Sequence, residues 1–105
     1  MAKYRKYQMA FNRPTDTDVT GFKVYFKEGS SVKDTDPFVD IGNNTTVVIP
    51  DEFPGFPKVD GAVSLGIAAV DDEGNESDMA VITYPFDLLA PASPTGVIID
   101  RKSVV

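Results

Sequence analysis

Residues 63–77 constrain the fold of this chain more than any other stretch. Val63, Leu65, Ile67 and Ala69 alternate with Ser64, Gly66 and Ala68, the period of two of a strand with one apolar face and one face of small residues. The small face suits close approach by another part of the molecule. The run stops at Asp71-Asp72-Glu73-Gly74-Asn75-Glu76-Ser77, where Gly74 and Asn75 tolerate positive φ and the carboxylates keep the turn in water. Strand formers resume at Met79-Ala80-Val81-Ile82-Thr83-Tyr84. The unit reads as a β-hairpin with a long acidic tip, its second strand ending at Pro85.

The same alternation places the other strands. Tyr7, Met9 and Phe11 share one face, as do Phe22, Val24 and Phe26, with Lys23 and Lys27 turned outward and Tyr25 exposed on the outer face. Residues 38–41 form a short edge, Gly42-Asn43-Asn44 signals a turn, and Thr45 to Ile49 read as a strand closed by Pro50. The expected core is Tyr7, Met9, Phe11, Phe22, Val24, Phe26, Val47, Ile49, Leu65, Ile67 and Ala69. Phe53 and Phe56 stand among prolines in the connection that follows and are expected to pack beneath it.

Ala68-Ala69-Val70-Asp71-x-x-Gly74-Asn75-Glu76-Ser77 resembles the F strand, FG loop and G strand of a fibronectin type III module. Gly21-Phe22-Lys23-Val24-Tyr25-Phe26 is similar to strand C of that family, and Phe11 stands where its strand B carries a core tryptophan. The resemblance covers roughly residues 6–84. It implies an antiparallel β-sandwich of about seven strands over residues 1–86, with a very short strand A at residues 1–4, followed by a linker and tail at 87–105. It also implies a tyrosine at the Val63 position, where this chain departs from the pattern.

Composition narrows function by exclusion. The net charge of −6 leaves no basic surplus for phosphate backbones, so nucleic acid is not an expected partner. No run reaches transmembrane length, and residues 1–11 lack the apolar core of a signal peptide. With no histidine and no cysteine, neither a Ser-His-Asp nor a Cys-His arrangement can be assembled, nor an imidazole or thiolate metal site. The carboxylate groups at residues 34 and 36, 51 and 52, and 71–73 fall in turns, where water keeps them ionised and alike rather than split into acid and base. Residues 71–76 offer calcium several oxygens but not the ligand spacing of an EF-hand, so turn capping is expected there. No enzyme activity, metal or cofactor is expected.

Surface recognition remains. The resemblance implies ligand contact through the FG loop, with Asp71, Asp72, Glu73, Asn75 and Glu76, and the BC loop, with Arg13, Asp16 and Asp18. Tyr25, Tyr84 and Phe56 are the aromatics that could stack on sugar rings if exposed.

The tail is the oddity. Pro91-Ala92-Ser93-Pro94-Thr95-Gly96-Val97-Ile98-Ile99 is similar to the opening of another such module, with Val97, Ile98, Ile99 and Arg101 as candidate connector residues. The chain therefore reads as short of a strand at its start and with a spare one at its end. An uncovered edge strand demands a cover. The tail can return onto its own edge, cover a neighbour's edge, or be the beginning of a further module in a tandem array. Three functions follow: a self-assembling subunit of a virion, tail or filament; a spacer or accessory module of a secreted carbohydrate-active enzyme; or an adhesion-type binding module. Localisation follows the function, extracellular or virion if the module behaves as its family does.

Overall fold

The structure is a computed structural model that describes residues 5–58, 60–89, 95–96 and 98–99. Among them are six strands and no helix: β1 (Tyr7–Ala10), β2 (Val19–Glu28), β3 (Phe38–Gly42), β4 (Thr46–Ile49), β5 (Asp60–Asp71) and β6 (Ala80–Asp87). The expected short strand at residues 1–4 lies outside the described residues. All pairings are antiparallel. β1 pairs with β4, and the other four strands form one sheet in the order β3-β2-β5-β6. The molecule is an all-β sandwich.

Alternation sets the register. Val24 lies opposite Ile67 and Phe26 opposite Leu65 in the β2–β5 ladder, so the apolar faces of both strands coincide. In β5–β6, Leu65 lies opposite Ile82 and Val63 opposite Tyr84. Gly29 ends β2 at φ 117°, a conformation that a side chain would strain.

The core between the sheets is Val24, Phe26, Val47, Ile49, Phe53, Phe56, Val63, Leu65, Phe86 and Leu88, with Tyr7, Met9, Val39, Ile41 and Ile67 half-buried around it. Phe22 is also buried, its ring edge against Phe11 at 4.9 Å. Phe53 and Phe56 both point inward and meet Phe26, with ring centroids 5.9 and 5.5 Å from it, and Phe56 reaches Phe86 at 5.5 Å. Each buried ring of this kind contributes roughly 1.5–3 kcal/mol. The connection after β4 thus plugs one end of the sandwich with aromatics.

Three expectations need correction. Pro85 does not end the last strand: β6 runs through it to Asp87, as an edge strand can, because one side of its ladder needs no N–H donor. The packed body accordingly extends past residue 86, with Leu88 fully buried and its carbonyl accepting the Arg5 N–H at 2.8 Å. Tyr25 is on the outer face as expected, but it is buried rather than exposed: Val32, Ala68 and Met79 gather around it. The loop after β2 lies over this face. A Cβ added to Gly66 would stand 2.6 Å from Met79 Sδ and 3.2 Å from Val32, so the small face of β5 is what admits these two side chains. Ser64, the one buried polar side chain among the described residues, donates to the Gly29 carbonyl at 2.9 Å and accepts from Thr83 Oγ1 at 2.7 Å.

Candidate functional site

The two loops singled out from the sequence do meet. Asp16 and Asp18 from the β1–β2 loop, with Asp71, Asn75 and Glu76 from the β5–β6 loop, line a shallow cleft of about 270 Å³. Most of the polar groups there serve the loops themselves. Asp71 Oδ1 accepts the N–H groups of Glu73 and Asn75 at 2.9 and 2.8 Å, and Oδ2 accepts the Asn75 side-chain amide at 3.0 Å. These bonds favour the ionised form, and the Asn75 amide first among them holds the Asp71 carboxyl below its ordinary value. Asp71 caps the turn.

Glu76 is tied to the sheet. It accepts the Tyr25 hydroxyl at 2.6 Å and the Lys23 ammonium at 3.1 Å. The Tyr25 bond first, then Lys23, lowers the Glu76 pKa. Glu76, together with burial, pushes the Tyr25 phenol up to about 12. Lys23 also lies 4.8 Å above the Phe38 ring. Arg13 does not join the cleft: it donates to the Val19 carbonyl at 3.1 Å and to the Asn43 side chain, with its guanidinium over Phe22. Asp72 and Glu73 are exposed at the tip. Among the described residues no three carboxylates are placed to share a metal ion. Of the three aromatics considered for sugar stacking, Tyr25 and Phe56 are buried and only Tyr84 presents an exposed ring.

A second region was not singled out from the sequence. Ile82, Tyr84 and Phe86 share the core-facing side of β6, opposite buried Leu65 and Val63. Phe86 is buried, yet Ile82 is 50% exposed and Tyr84 41% exposed. The cause is that no described strand other than β4 lies beside β1 to cover them. Among the described residues the polar links between the β1 end and β6 gather near Asp87, where Arg5 forms an ion pair with its carboxylate and the Asp87 N–H donates to Tyr7 Oη at 3.0 Å, and the Tyr7 ring packs on Tyr84 and Phe86 at 5.7 and 5.1 Å. Beyond that clasp a cleft of about 270 Å³ lies between the strands, with Tyr7, Met9 and Ala10 on one wall and Ile82 and Tyr84 on the other. It leads on to a second of about 260 Å³ bounded by Phe11, Asp78 and Ala80.

The edge of β1 that no other described strand pairs faces this seam. The Phe11 N–H donates to the Thr45 carbonyl at 3.0 Å, which fixes the phase of the β1–β4 ladder. In antiparallel pairing the alternate residues, Gln8 and Ala10, then turn their N–H and C=O groups to the open side. The apolar stripe of Ile82 and Tyr84 gave a sequence signal in Val81-Ile82-Thr83-Tyr84, where apolar residues occupy both faces of one strand. Of the connector residues, Ile98 and Ile99 are 81% and 100% exposed, whereas Val97 and Arg101 lie outside the described residues. No family model, curated protein or solved structure matches this chain.

Proposed function

We propose that this chain is a non-enzymatic module of fibronectin type III type, acting as a structural subunit through protein–protein association. In that family's letters β1 to β6 are B, C, C′, E, F and G, and the pairings B–E and C′-C-F-G are those of such a sandwich. The observation that carries the association is the half-exposed core-facing side of β6, Ile82 and Tyr84, beside a β1 edge that no other described strand pairs. Apolar residues on the inner side of a sandwich need a cover, and an open strand edge supplies the hydrogen bonds for one. The polar loop cleft supports this reading less, since Asp71 and Glu76 are engaged in holding their own loop.

Sedimentation velocity over a hundredfold concentration range tests the proposal. The expected result is a mass rising above the 11.4 kDa of one chain. A single monomeric species at every concentration would contradict it.

A further inference from the structure

Resting on the association proposed above, we infer that the seam between β1 and β6 is the seat of an added strand, and that its occupant is the 97–105 segment of a second copy of this chain. Three observations converge on that occupant. The first is shape: the seam runs from Tyr7 to Phe11 on one wall and from Phe86 back to Ala80 on the other, a length along the β1 edge that a strand of about five residues at ~3.3 Å each matches, with the Tyr7 and Tyr84 rings in contact at its floor. The second is chemistry. Val97, Ile98 and Ile99 are strand formers without a charge, and Ile98 and Ile99 stand almost wholly in solvent while the apolar seam of the same molecule stands open. Of the described residues of this segment, neither Ile98 nor Ile99 lines the seam.

The third is charge, which also sets the direction. At the Tyr7 end the seam is flanked by Arg5 and Lys6, each already paired with a carboxylate, Asp87 and Asp51. At the Phe11 end stands Asp78, next to the cleft of Asp16, Asp18 and Asp71. Arg101 and Lys102 gain nothing at the first end, where the ion pairs cancel, and are attracted by the second. The incoming strand therefore runs parallel to β1 and antiparallel to β6, with Val97 near Tyr7 and Arg101 near Phe11. Alternation then sends Val97 and Ile99 into the seam against Met9, Ile82 and Tyr84, and turns Asp100 outward beside Ala10. The open N–H and C=O groups of Gln8 and Ala10 pair with the incoming backbone, as in other cases of strand addition.

Disulfide trapping tests this directly, because the chain has no cysteine of its own. Full-length Ala10→Cys is mixed with full-length Asp100→Cys under mild oxidation, and Lys27→Cys with Asp100→Cys serves as the control. Circular dichroism of each variant first confirms the fold. The inference predicts A10C–D100C heterodimers forming at least ten times faster than the control pair, and slowing as salt is raised. Equal rates for the two pairs would overturn it. So would a double variant A10C/D100C that closes only on itself at a yield independent of concentration, since the tail would then fill its own seam. An oligomer in sedimentation with no A10C–D100C trapping overturns this docking and leaves the association standing; a monomer overturns both.

Discussion

The outer face of β2 and β5 and the inner face of β6 have exchanged the roles that position assigns them. The outer face should meet water, yet Val32 and Met79 cover Tyr25, Gly66 and Ala68 so closely that no side chain fits at position 66. The inner face of β6 should lie in the core, yet Ile82 and Tyr84 remain half in solvent. One face is finished by two of the chain's own loops, one bearing Val32 and the other Met79. The other is left for something that the described residues do not supply. Among the described residues the seam is the apolar stretch left open, and the proposed added strand is what would close it.

Substitutions sharpen the contrast. The largest effect belongs to the finished side of the core: Phe53→Ala, at a ring 1% exposed and packed on Phe26 and Phe56, should cost about 3–5 kcal/mol in urea unfolding. On the covered outer face, Gly66→Val should cost about 1–3 kcal/mol, because Met79 and Val32 must move aside. A neutral outcome there would mean that the loops do not seal that face.

Tyr25→Phe comes next, at about 1 kcal/mol near neutral pH, since it removes one hydrogen bond to Glu76. It carries a pH signature with two windows. The Tyr25 phenol has its pKa raised in the fold from 10.0 to about 12, so its contribution is fully present below pH 10 and is lost as pH rises towards 12. Glu76 is lowered in the fold, so its contribution is present above the ordinary glutamate range and is lost as pH falls through it. Thermal melts across both windows should show wild type losing stability at each extreme. In the Phe variant the alkaline loss should shrink, and so should the acid loss, because the hydroxyl is the first cause of the Glu76 shift.

The smallest effect on folding falls on the open seam. Ile82→Ser should change the unfolding free energy by less than about 1 kcal/mol, because half of the side chain is already in water. The same change should abolish the concentration-dependent mass. A large loss of stability without any change in association would place Ile82 in an ordinary core.

Much of the scaffold was legible in the sequence because the period-two pattern is strong in β2, β4 and β5, where one face is buried and the other is not. Phe22, Val24, Phe26, Val47, Ile49 and Leu65 were found that way. Phe86 and Leu88 were missed because Pro85 reads as a breaker, and only the edge position of β6 makes it tolerable. Tyr25 was misread because alternation tells which face a residue occupies, not whether a loop folds over that face. The resemblance named the Asp16–Asp18 and Asp71–Glu76 loops as ligand loops, and the structure brings both to one cleft. The seam was not legible, because it depends on which strands flank β1 among the described residues, and no local pattern records that.

The central claim is that the free edge of β1 receives a strand. Amide hydrogen exchange at Gln8 and Ala10 in the full chain measures this most directly, residue by residue. The account predicts slow exchange at both amides at high protein concentration and fast exchange on dilution, while the Phe11 amide, bonded to Thr45, stays protected throughout. Fast exchange at Gln8 and Ala10 at every concentration would contradict it.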